Sequence, residues 1–289
     1  MSVKIGKLAI IGTGLIGGSF ALALKNAETV DFVIGCGRNL ENLREALAME
    51  IIDDATTDPA EAVRDADVVF FSVPVGEISK LCLKIAHELK PGAIVTDAGS
   101  TKEVVLGELF GHLPTYVNIV GGHPIAGKEK TGAAAAEADL YKNRTTILTP
   151  DKTTDPDALE VVKQLWEATG SKVVIMEPKE HDRALGAVSH LPHMVAYALV
   201  DTLMEWEKET PLLRFSAGGL RDFTRIAASS PEMWRDICLD NRDAIIEAID
   251  RFAKVLADLR RNIEEKDKKA LTERFERTRD VRHKMGGGS

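Results

Sequence analysis

Cysteine is scarce. The 289-residue chain has three, Cys36, Cys82 and Cys238, odd in number and far apart. That argues against a disulfide framework or a metal site and fits reduced, mostly buried thiols. Positive charge is also short: 37 Lys and Arg face 45 Asp and Glu, a formal net charge of -8. No basic run is dense enough to follow a phosphate backbone, so nucleic acid is a poor partner. No apolar stretch approaches the roughly 18 residues of a membrane span. The N-terminus lacks a secretory pattern, since Lys4 and Lys7 precede only a short apolar run that ends in glycines. These absences predict a cytoplasmic protein without membrane attachment. What is present suits a globular core: 44% hydrophobic and 28% charged residues. Residues 286–289 have the composition of an appended linker and lie outside the fold reading.

The first half alternates short apolar runs with helical patterns. Residues 7–11, 32–35, 67–73, 94–97 and 116–121 read as strands. The run DVVFFSV at 67–73 is apolar on both faces, as a buried parallel strand should be. Between the strands lie helical patterns, such as residues 39–49 with Leu40, Leu43, Ala46 and Leu47 on one face. The alternation predicts an α/β domain, a Rossmann-type doubly wound parallel sheet. Two more strands, 144–149 and 172–176, flank a helix at 155–168. Beyond Pro178 the strand signal ends, and residues 181–209, 231–261 and 266–284 are helical. The boundary is placed near residue 176: a dinucleotide-binding domain over 1–176 and an all-helical domain over 177–285. The helical part is too extended to bury itself, which predicts a homodimer packed through it.

Gly12-Thr13-Gly14-Leu15-Ile16-Gly17 follows the first strand and opens a helix. The first glycine permits the tight turn, the second lets backbone approach a pyrophosphate, and the third lets helix and strand pack. The free N–H groups of the helix start then face the phosphates. At the end of the second strand an NAD site usually offers an acid to the ribose hydroxyl. Here the chain reads Gly35-Cys36-Gly37-Arg38, so the cofactor is NADP or NAD, with Arg38 placed to meet a 2′-phosphate. Ser72-Val73-Pro74 closes the third strand, where the proline either shapes a loop over the nucleotide or is a simple loop residue.

Ligands of open α/β sheets lie beyond the carboxyl ends of the strands. Ser100 lies after the fourth strand and reads as a helix N-cap, a site residue, or both. His123 follows the fifth strand on a loop of glycines and proline, and is the candidate acid/base group for an alcohol losing hydride. In the helical part, Ser189-His190-Leu191-Pro192-His193 sits in an apolar helix that the proline should kink. One of the two histidines is expected to meet substrate and the other to be a satisfied core group; a metal site is not expected. In Gly218-Gly219-Leu220-Arg221-Asp222-Phe223-Thr224-Arg225, Arg225 either clamps a carboxylate or makes a surface ion pair. Trp234 is by default a core or interface aromatic.

With GGHPIAG at 121–127, SHLPH at 189–193 and GGLRDFTRIA followed by PEMWRDI, the chain resembles the prephenate/arogenate dehydrogenases of tyrosine biosynthesis, from Gly12 to about Asn241. The resemblance implies a nucleotide-binding domain followed by a helical dimerisation domain. It implies hydride transfer from the ring of prephenate or arogenate to a nicotinamide, with loss of carbon dioxide. By the same resemblance His123 is the catalytic histidine and Ser100 its helper. His193 lines the substrate pocket and Arg225 binds a substrate carboxylate. Glu129, Arg221 and Asp222 form a polar network at the mouth, and Trp234 reaches the neighbouring subunit's site. Gly37 stands where many members have Asp. A β-hydroxyacid dehydrogenase, an imine reductase and a nucleotide-sensing regulator without catalysis are the competing readings.

Overall fold

Apart from the short β3, each strand of the first half is an apolar run between a polar or glycine-rich entry and exit, and the structure pairs them into one sheet. The computed structural model describes residues 3–128 and 130–285. In chain order the elements are β1 (Ile5–Ile11), α1 (Leu15–Asn26), β2 (Val30–Cys36), α2 (Leu40–Ala48), β3 (Asp54–Thr56), α3 (Pro59–Val63) and β4 (Val68–Phe71). There follow α4 (Ile78–Ile85), β5 (Ile94–Asp97), α5 (Glu103–His112), β6 (Asn118–Pro124), β7 (Thr145–Thr149), α6 (Pro156–Ala168) and β8 (Lys172–Ile175). The strand order is β3-β2-β1-β4-β5-β6-β7-β8. All neighbours are parallel except β6 and β7.

Alternation along the strands splits the core into two layers. Leu8 and Ile10 of β1 face the layer holding Phe20, Phe70, Tyr141 and Trp166; Ala9 and Ile11 face the layer holding Ile78, Cys82, Val105 and Leu109. In the first layer Phe20 meets Phe70 and Trp166 at centroid distances of 4.4 and 4.5 Å. Burying each such ring contributes about 1.5–3 kcal/mol.

The reading by pattern missed β3 and α3. Both are short, and α3 carries a local signal: Asp58 caps Ala60 N–H and Pro59 occupies the first turn. It also ended the fifth strand at Gly121. The strand runs on to Pro124, because the antiparallel β7 pairs Gly122 with Leu148 and His123 with Ile147. His123 is thus a strand residue, not a loop residue.

After β8 come α7 (Pro178–Leu185), a single π-helical turn (Gly186–His190), α8 (Leu191–Glu207), α9 (Gly218–Thr224) and α10 (Pro231–Asp240). The π turn lies directly before Pro192, which has no N–H to give to the helix ladder. The helix expected over 231–261 is two helices, because Asn241 leaves helical geometry. The segment through Arg242 forms one compact unit. The second unit begins at Asp243; it holds most of α11 (Arg242–Glu264) and all of α12 (Lys268–Met285). Along α11, Phe252, Val255, Leu256 and Ile263 are exposed. Among the described residues no helix is long and apolar enough to cross a membrane.

Candidate active site

The parallel strands bring the turns after β1, β2, β4, β5 and β6 to one edge of the sheet. The strand order reverses between β1 and β4, and the glycine turn stands at that switch point, where ligands of such sheets bind. Gly12 has φ +105°, and a side chain there would come within 2.5 Å of the Ser72 carbonyl. Gly17 packs so closely on Gly12 O and the Ser72 hydroxyl that a methyl group has no room. Ser72 Oγ donates to Gly12 O at 2.6 Å, so it fastens the two turns together. Gly14 differs: nothing lies within 4 Å of the side chain it lacks. The α1 N-terminus beside it has no side-chain cap and no acid in its first turn. An open glycine before an uncapped helix start is a cradle that fits a pyrophosphate. Ile16 lends its carbonyl to Tyr141 Oη at 2.6 Å, and Leu15 turns its side chain into the core. Pro74 leads into a short 3₁₀ turn over Val75–Glu77. Arg38 is exposed beside Gly37, where a Cβ would make only ordinary contacts with Leu43 and Thr13, at 3.6 and 3.7 Å.

The second part of the site is made of side chains. His123 is half-buried on β6. Its Nδ1 lies 2.8 Å from His181 Nε2, and His181 Nδ1 lies 2.8 Å from Asp182 Oδ1. The Asp182 carboxylate also accepts Lys102 N–H at 2.8 Å and Glu103 N–H at 2.9 Å, so a residue of α7 caps α5. Ser100 is therefore not the cap of that helix; it lies in the loop before it, while α5 starts at Glu103. Lys102 is fully buried, paired with Asp97 and donating to Gly122 O at 2.8 Å. Asp97 in turn accepts Gly99 N–H at 2.7 Å and Gly122 N–H at 3.1 Å. Burial holds the His123 pKa well below the ordinary value, and His181, Lys102 and His190 act in the same direction. Burial also lowers that of Lys102, against the pull of Asp97 and Asp182.

Two models of known families match the chain. Prephenate dehydrogenase, nucleotide-binding domain, matches residues 20–175, and prephenate dehydrogenase, dimerization domain, matches residues 177–277. The chain belongs to the prephenate dehydrogenase family. It is 39% identical to the prephenate dehydrogenase of Bacillus subtilis, over 95% of this chain and 75% of that protein. It is equally identical to the cyclohexadienyl dehydrogenase of Zymomonas mobilis, over 95% of this chain and 94% of that protein. Among solved structures, the prephenate dehydrogenase of Aquifex aeolicus in complex with hydroxyphenyl propionate and NAD+ superposes with a TM-score of 0.93. It is 38% identical, covering 99% of this chain and all of that one.

The remaining residues that the family resemblance singled out fall into two groups. His193 on α8 stacks on Trp234 of its own chain at 3.9 Å and 27°. Trp234 is buried, so within this chain it is a wall behind His193. Its indole nitrogen has no hydrogen-bond partner there. His193 Nδ1 donates to Ser189 O at 2.9 Å; burial lowers its pKa, with the nearby Arg225 adding to the effect. His190 is the satisfied core histidine: Asn241 Nδ2 reaches its Nδ1 at 3.1 Å and Asp182 O at 2.7 Å. Arg221 and Asp222 on α9 are exposed, as is Arg225 just beyond it. Glu129 lies outside the described residues. Sequence reasoning missed Asp97, Lys102, His181 and Asp182. Only Asp97 and Lys102 flank a recognised candidate, Ser100; the His181-Asp182 pair, at a helix start, carries no recognisable spacing.

Proposed function

We propose that this member of the family oxidises and decarboxylates prephenate or arogenate, working as a homodimer with a nicotinamide dinucleotide. The observation that carries the reading is His123 Nδ1 held by His181 at the sheet edge that also bears the open glycine cradle. With Nδ1 engaged, Nε2 is the nitrogen left for a substrate. Gly12, Gly14, Leu15, Ile16 and Gly17 would hold the pyrophosphate through their backbone, with Ser72 and Pro74 shaping the far wall. When bound, the nicotinamide supplies the hydride acceptor. His123 takes the ring hydroxyl proton as the carbinol carbon is oxidised, and returns it to the phenol oxygen of the aromatic product. Ser100 helps to place that hydroxyl. Arg225 binds a carboxylate, and the family resemblance adds Arg221, Asp222 and Glu129 as polar residues of the same pocket. His193, backed by Trp234, lines the substrate side. Local Arg charge in a chain of net charge -8 suits a dianionic substrate.

For the cofactor, the missing acid at Gly37 and the neighbouring Arg38 favour NADP, against the NAD+ in the Aquifex aeolicus complex. The exposed apolar residues of α11 give the second unit a face for another copy of the chain. The functional division stays near residue 176, because the cradle residues lie before it and the α8–α10 residues after it.

Initial rates of nicotinamide reduction test the reading, crossing prephenate and arogenate with NAD and NADP. Turnover in any combination supports it, and the fastest pair names substrate and cofactor. A folded protein that binds cofactor and turns over neither substrate overturns it.

A further inference from the structure

His181 and Asp182 lie outside every sequence motif of the chain, yet they stand directly behind His123. The hydrogen-bond chain has a direction. Asp182 already accepts two backbone N–H groups at the start of α5, so it faces His181 as an acceptor. His181 Nδ1 must then carry a proton, donated over 2.8 Å. In its neutral form the His181 imidazole has that one proton, so its Nε2 offers a lone pair. His123 Nδ1, 2.8 Å away, has to donate into it. The proton of neutral His123 is thereby confined to Nδ1, and Nε2 is bare.

We propose that His181 and Asp182 are positioning residues that lock His123 in the tautomer with a free Nε2, using the N-terminus of α5 to orient the carboxylate. The inference rests on the proposed reaction for its kinetic consequence, and on geometry alone for the tautomer. No proton passes along the chain. When Nε2 takes the substrate hydroxyl proton, His123 becomes an imidazolium whose Nδ1–H stays bonded to His181; the same proton then leaves to the product's phenol oxygen. The remaining charged neighbours do not compete for Nδ1, because Lys102 is paired with Asp97 and His190 Nδ1 is engaged by Asn241. The arrangement also explains a feature with no packing reason: α5 takes its cap from Asp182, 80 residues away, and not from its own Ser100 or Thr101. Helix α7 and the loop that carries Ser100 are thereby fastened at the point where the tautomer is decided.

Side-chain nitrogen NMR of the 15N-labelled full-length protein, without substrate, reads the tautomer directly. The expected spectrum gives His123 a protonated Nδ1 and an unprotonated Nε2 at neutral pH. A wild-type His123 protonated on Nε2 overturns the proposal, whatever the enzyme turns over. In Asp182→Asn one of the two acceptor positions becomes a donor; Oδ1 serves both Lys102 N–H and His181 while Oδ2 serves Glu103 N–H, so either amide orientation opposes a helix-start N–H and the carboxylate that fixes the chain is lost. The kcat of this variant should fall about 10²–10⁴-fold with KM within about threefold. His181→Gln, whose carbonyl still accepts from Nδ1, should keep at least about tenfold more kcat than His181→Leu. Equal activity of His181→Leu and wild type also overturns the proposal. A wild type with the expected tautomer and no turnover of either substrate refutes the reaction and leaves the tautomer lock standing.

Discussion

The two parts of this site are built from opposite materials. The candidate cofactor cradle is backbone: a glycine turn and a helix start, contiguous over six residues, fastened by Ser72 just beyond β4, by Asn42 on Thr13 and by Tyr141 on Ile16. The histidine centre is side chain: His123 from β6, Lys102 from the start of α5, His181 and Asp182 from α7, and Asn241 after α10. A backbone cradle depends on the absence of side chains, so it is damaged by adding atoms. A side-chain relay depends on donor and acceptor order, so it is damaged by changing chemistry at constant size. Failures in the two parts should therefore separate.

The largest effect should come from His123→Asn. It removes the base and leaves a smaller polar side chain, so kcat should drop about 10²–10⁴-fold while cofactor affinity, read by fluorescence titration, stays near wild type. Loss of cofactor binding in this variant would erase the distinction between the two parts. The next effect is on stability and follows from His190, whose pKa is brought down to about 4, chiefly by burial; Asp182 opposes the shift, and His181 and His193 reinforce it. The unfolded imidazole takes a proton near its ordinary value of about 6.5. Between about pH 6.5 and 4 the unfolded chain thus binds more protons, and stability falls as pH drops through that window, by roughly 3 kcal/mol at most. Urea unfolding across this range should show a flatter acid slope for His190→Gln than for wild type; identical slopes would remove His190 as the cause.

Gly17→Ala should do the converse of His123→Asn. Its methyl group collides with Gly12 O and Ser72 Oγ, costing about 1–3 kcal/mol and weakening cofactor binding, while the His123 tautomer stays unchanged. The smallest effect should be Gly37→Asp. A Cβ there makes only ordinary contacts, so the fold should tolerate it, and the new carboxylate should shift preference from NADP toward NAD by about tenfold or less. An unchanged cofactor ratio would show that the end of β2 does not discriminate.

Legibility followed the same division. The Gly12–Gly17 turn is legible in the sequence because its geometry is local: strand, glycines and helix follow one another along the chain. The family motifs likewise mark His123, His193 and Arg225. The antiparallel β7 is not legible, since a five-residue apolar strand carries no record of its partner's direction. That pairing moves His123 from a loop into β6. Ser100 looks like a cap because serine before a helix usually is one; the Asp182 carboxylate, arriving from α7, takes the exposed N–H groups instead.

The order of apolar runs and glycines along the chain sufficed for the α/β class, the parallel half of the sheet and the glycine turn, and short motifs sufficed for the family. All of these rest on periodicity and on neighbours within a few residues, which linear order preserves. The burial of Lys102 against Asp97, the stacking of Trp234 on His193, and the direction of the Asp182–His181–His123 chain arose only on folding. They join residues up to 58 positions apart, and hydrogen-bond order and desolvation are properties of groups in contact, which no spacing along the chain records.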